Sequence, residues 1–158
     1  MKRLPADVLL DRKVEALVLA GFALPRWGFA IPGPYNGATG AERVYAWQKN
    51  QIAWRLGWLP RNQTCSICQV RPAEQGHQEL YQRPFALMPV CRSCHVRLHR
   101  RFGNPHRWQA FVDQLSPDNW ARMLLPEQLD RLDAIRLAAV PDWLGAFTAF
   151  SEARRAEQ

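Results

Sequence analysis

A mainly α-helical chain with one small β-hairpin is the fold class the sequence predicts, and three observations predict it. Capped segments with helical apolar spacing occupy both ends of the chain. Four cysteines fall within thirty residues as two Cys-x-x-Cys pairs. The stretch between those pairs is irregular and reads as a short hairpin rather than a helix. At 158 residues, 47% of them hydrophobic and seven of them Trp, the chain can bury an ordinary core, so disorder is expected only at its termini.

The elements follow in order. Pro5 to Ala20 reads as a helix, with Pro in the first turn, Leu10, Val14, Leu17 and Val18 on one stripe, and Gly21 as the stop. Residues 22–40 hold three prolines and four glycines and read as an irregular loop that packs Trp27, Phe29 and Tyr35. Thr39 and Glu42 make a capping box for a helix to about Leu56, ended by Gly57. Trp47 and Trp54 share a face of that helix and read as core anchors rather than a base-stacking platform. A further helix runs from Cys94 through Arg101 and stops at the turn Phe102–Gly103–Asn104. Proline marks three later helix starts, at Asn104–Pro105, Ser116–Pro117 and Leu125–Pro126. Leu129, Leu132 and Ile135 form the expected apolar face of the third, and Trp143, Phe147 and Phe150 that of a last helix. The predicted organisation is an N-terminal helix and loop (1–40), a metal-bound domain (41–108) and a helical extension (109–158).

Charge is distributed unevenly. Eight arginines against Glu74 and Glu79 give residues 61–107 a net +6, whereas residues 1–60 carry +4 and residues 108–158 carry −3. Basicity of this size is the footprint of polyphosphate binding, although a solvated basic surface has the same composition. Eighteen of the 21 basic residues are Arg, which suits bidentate phosphate contacts; a GC-rich genome gives the same bias. No secretory signal is read, because Asp11, Arg12 and Lys13 cut the apolar stretch at Val8 to Leu10. No apolar run has membrane-spanning length.

Cys65-Ser-Ile-Cys68 and Cys91-Arg-Ser-Cys94 stand 22 residues apart. Two such turns present four thiolates, the set that a tetrahedral structural Zn²⁺ needs, and they point to a reducing compartment. The second pair opens a helix, so knuckle, hairpin and helix suggest a treble clef. His95 and His99 are four residues apart and share a helix face. With His77 on the preceding hairpin they offer a second metal site.

These residues resemble the HNH endonucleases (His-Me finger, or ββα-metal), in particular the phage and plasmid forms with four zinc cysteines. That pattern is C-x-x-C, then H-H-x-D-Y-x-K-P-L, then L-C-x-x-C-H-x-x-L-H. Here Tyr81, Pro84, Cys91, Cys94, His95, Leu98 and His99 fall in register over about residues 41–108. The resemblance implies that His77, His95 and His99 hold a catalytic Mg²⁺, Mn²⁺, Ni²⁺ or Zn²⁺. It places the general base at Gln78 and the group that orients the base near Ala86. Glutamine takes no proton at useful pH, so the binding skeleton is kept and the proton-transfer pair is lost. A one-residue slip of the hairpin would make His77 the base, with Gly76 leaving a ligand missing; Glu74 or Glu79 could also substitute. His106 lies outside the pattern and reads as a surface residue at a helix start.

Three functions compete. The first is an HNH-like protein that binds nucleic acid, DNA rather than RNA, and cuts it weakly or not at all. Arg92, Arg97, Arg100, Arg101 and Arg107 would hold phosphates, with Arg71 and Arg83 on the hairpin. The second is a working metal-dependent endonuclease or nickase. The third is a zinc-stabilised protein-interaction module that meets its partner through the acidic C-terminal helices and the loop at 22–40. A cytoplasmic setting in a bacterium, phage or plasmid host follows from the resemblance alone.

Overall fold

The computed structural model describes residues 4–157. It is mainly helical with a small two-stranded antiparallel sheet. The chain forms two compact units, neither of them continuous: one takes residues 1–61, 78–87 and 129–141, the other 62–77, 88–128 and 142–158. The expected divisions at 40 and 108 follow chain order, whereas these units interleave.

In the first unit, α1 (Ala6–Leu19) pairs with α2 (Gly40–Arg55). Gly21 ends the α1 segment at φ +94, where a side chain would be strained. Val14, Ile52, Ala53 and Phe85 form the buried cluster, with Leu10, Leu17 and Val18 packed against it, as the apolar stripe requires. Lys49 is buried and pairs with Asp11 at 2.6 Å and Glu15 at 3.0 Å. The capping box is complete: Thr39 Oγ1 accepts from Glu42 N, and Glu42 Oε2 accepts from Thr39 N at 2.7 Å. Arg131 adds a bidentate pair to Glu42, and Arg131 first, then the Thr39 N–H, hold that carboxyl at about 2. Thr39→Ala should lower stability by about 1 kcal/mol, the usual worth of an N-cap, read as a shift of the urea midpoint. An unchanged midpoint would show that Arg131 alone holds the helix start.

The hairpin is β1 (Gln75–Gln78) with β2 (Leu87–Val90). The second unit continues with α3 (Arg92–His99), a 3-10 turn at 100–102, and α4 (Pro105–Val112), capped by Asn104 as expected. The start expected at Pro117 is instead a turn leading to a 3-10 helix at 120–123. Back in the first unit, α5 (Arg131–Ala138) begins five residues after Pro126, because the Asp130 side chain accepts from Asp133 N and fixes the start there. The buried face of this helix is Ala134 and Leu137, while Leu132 and Ile135 are exposed, against expectation. The last helix, α6 (Trp143–Ala156), belongs to the second unit and buries Trp143 and Phe147 as its spacing predicts.

Candidate metal centres

Two ligand clusters lie in the second unit. Cys65 and Cys68 come from a tight turn held by the Gln69 N–H on Cys65 O (2.9 Å) and the Cys65 N–H on Arg71 O (2.8 Å). Gln69 takes φ +57 to close it. Ser66 ties this turn to the second strand: its N–H and its hydroxyl both donate to Pro89 O, at 2.8 and 2.7 Å. The 3-10 helix at 120–123 buttresses the turn, with Asn119 Nδ2 on Ile67 O (2.8 Å) and Trp120 Nε1 on Ser66 Oγ (3.1 Å). Cys91 is the N-cap of α3 and Cys94 lies in its first turn.

The four Sγ atoms lie within 4.8 Å of one another. A tetrahedron with metal–sulfur bonds of about 2.3 Å has edges of about 3.8 Å, inside that limit, so the cluster could hold an ion such as zinc. Cys65, Cys91 and Cys94 are buried, and Cys68 is half-buried. Burial opposes ionisation of Cys68, but the Arg71 and Val70 N–H groups and the thiols of Cys65 and Cys94 donate to it and bring it to about 6. Cys94 is pushed up, by burial first and then by Cys91 and Cys65. A bound cation stabilises four thiolates together and removes that contrast.

The second cluster is His77, His95 and His99. His77 Nδ1 lies 3.3 Å from His95 Nε2, and His99 Nε2 lies 2.9 Å from the same atom. Gln75 Oε1 is 2.6 Å from His95 Nδ1 and accepts a hydrogen bond from its N–H, which leaves the Nε2 lone pair facing the other two rings. A cation between the rings could be coordinated by one nitrogen from each of the three. Tetrahedral metal–nitrogen bonds of about 2.0 Å separate the nitrogens by about 3.3 Å, close to what is found. Burial, then neighbouring His77, pushes His95 down to about 4, so it is a neutral donor at neutral pH. His77 is buried, its ring stacked at 17° on Trp120.

Three histidines fill a metal's coordination shell only partly, leaving room for water or a phosphate oxygen. Gln75 went unremarked in the sequence, although alternation along a strand puts it on the face of His77. Trp120 had no local signal, since it reaches the histidine from 43 residues away.

Gln78 is buried, and its Nε2 donates to Pro84 O at 2.6 Å. Glu79 is fully buried, its carboxylate accepting from Asn36 Nδ2 (2.7 Å) and the Tyr35 hydroxyl (3.1 Å), so it is spent inside the first unit and is no substitute base. Glu74 accepts the Arg92 N–H at 3.0 Å. Ala86 sits in the turn closed by its N–H on Arg83 O.

Two of the arginines expected to hold phosphates are structural instead. Arg83 is buried, paired with Asp7 and donating to Val140 O at 2.7 Å and Ala138 O at 3.3 Å. Arg101 is 1% exposed, donates to Leu125 O (2.8 Å) and Leu98 O (3.2 Å), and lies over the Phe102 ring. Arg71, Arg92, Arg97, Arg100 and Arg107 are exposed, as is His106. No helix among the described residues is long and apolar enough to cross a membrane. Comparison with known protein families, curated proteins and solved structures finds no match for the chain.

Proposed function

We propose that the chain is a zinc-containing, HNH-like protein that binds nucleic acid and cuts it weakly or not at all. In this reading the four cysteines hold a structural zinc in a treble clef. What supports it is the order along the chain: the Cys65–Cys68 turn, the hairpin, then a helix with Cys91 at its N-cap and Cys94 in its first turn. His77, His95 and His99 hold a second divalent ion. The observation that carries the reading is the contrast along β1: His77 joins the two α3 histidines, while the next residue, at the base position, is a glutamine bonded to a backbone carbonyl. A side-chain amide cannot take a proton from water. The histidine ion would still attract a backbone phosphate, so binding outlasts cleavage.

One observation favours a second reading, a working nuclease. A metal-bound water at the coordination position left by three histidines is acidified by the ion itself and needs a weaker base. Metal analysis and plasmid assays separate the two. The binder should carry one tightly held zinc that survives His95→Ala, and a second, exchangeable ion that is lost in that variant. It should retard supercoiled plasmid without nicking it in Mg²⁺ or Mn²⁺. Metal-dependent nicking abolished by His95→Ala would establish the nuclease. A protein that neither retards nor nicks plasmid sinks both.

A further inference from the structure

Resting on the nucleic-acid reading above, we propose that the exposed arginines beside α3 and α4 form one continuous track for successive phosphates of a strand, separate from the histidine cluster. A cavity of about 640 Å³ in the second unit is lined by Arg71, Glu74, Arg92, Arg97 and Arg100. A second cavity, of about 420 Å³, shares Arg97 and Arg100 with the first and adds Arg107. Two cavities joined through common arginines make a path, where a site for a single small anion would be one pocket.

Among the described residues the guanidinium groups of Arg71, Arg92 and Arg100 make no hydrogen bond or ion pair, unlike the buried Arg83 and Arg101. Their planar forks are therefore available to phosphate oxygens. Arg97 rests over the Phe111 ring at 4.7 Å, which holds its fork at the junction of the two cavities. Helical spacing sets the direction: Arg92, Val96 and Arg100 recur every fourth residue, one position on from the His95 and His99 row. A strand along the arginines thus passes beside the histidines without needing them.

Glu74 fixes one end of the track. Its carboxylate already occupies an anion's place, on the first free N–H of α3, among the arginines. An arriving phosphate competes with it, so Glu74 weakens the site that it marks.

The test uses the full chain and a fluorescently labelled oligonucleotide, as duplex and as single strand, with anisotropy read across a KCl series. R92Q/R100Q should weaken binding by about tenfold or more near 100 mM salt, and flatten the slope of log affinity against log salt by about two. The control R26Q/R136Q removes two exposed charges elsewhere and should leave the slope unchanged. E74Q should tighten binding several-fold. Far-UV circular dichroism checks that each variant folds. Wild-type binding that R92Q/R100Q leaves unaltered in strength and slope overturns the track while nucleic-acid binding stands. Equal losses in R92Q/R100Q and R26Q/R136Q overturn it too, since bulk charge would then explain them. Failure of the wild-type protein to bind either oligonucleotide overturns both readings.

Discussion

Removing the metal proposed for the four cysteines, or replacing Cys91 and Cys94 by serine, is expected to unfold the second unit. A structural zinc contributes an apparent 10–16 kcal/mol, roughly, against a total domain stability of about 5–15 kcal/mol. The local architecture has little else to replace it. The first knuckle is a loop held by a few backbone hydrogen bonds, and the hairpin has strands of only four residues each. Three tryptophans, Trp108, Trp120 and Trp143, are buried in this unit and report on it. A strong chelator should therefore red-shift the fluorescence and reduce helical circular dichroism together, with re-addition of zinc restoring both. Unchanged spectra in the ion-free protein would mean that the apolar contacts suffice and the cysteines are not structural ligands.

Arg83→Ala should be the most damaging single change in the first unit, at about 3–5 kcal/mol. The guanidinium is 6% exposed and meets Asp7 through two of its nitrogens, one of them at 2.7 Å. Truncation leaves a half-buried carboxylate without its partner and the carbonyls of Ala138 and Val140 without a donor. Arg83→Lys should recover only part of the loss, because an ammonium cannot reproduce the fork. Denaturant midpoints measure this directly. If Arg83→Ala matched the wild type and instead weakened nucleic-acid binding, the residue would face solvent and the phosphate role first expected of it would return.

Legibility in the sequence tracked the range of the interactions. Helix starts written by side chains within three residues were readable: the Thr39–Glu42 box, and Asn104 before Pro105. So was the gathering of the four cysteines, because the spacing of the two Cys-x-x-Cys turns announces it. Asp130 carried a cap signal as local as these, but Pro126 drew the expected start of α5 too early. Arg83 and Arg101 were counted as surface charge because their partners are remote: Asp7 lies 76 residues away, and Leu125 O lies 24 away on the backbone, where composition shows nothing. The gathering of His77 with His95 and His99 lay between these cases. Helical period joins the latter two, whereas a strand pairing was needed to bring in the first.

The interleaving of the two units has a consequence for synthesis. The chain passes from one unit to the other at residues 61, 77, 87, 128 and 141. An N-terminal unit that needs residues 129–141 cannot close while the ribosome is still translating them, so α1 and α2 wait for α5. Meanwhile Cys65 and Cys68 emerge as only half of the four-cysteine cluster, which stays incomplete until Cys94 follows. Both units thus reach completion late and almost together, and no single truncation point frees either one whole. A fragment spanning residues 41–108 would carry all the candidate metal ligands, yet leave pieces of both units behind.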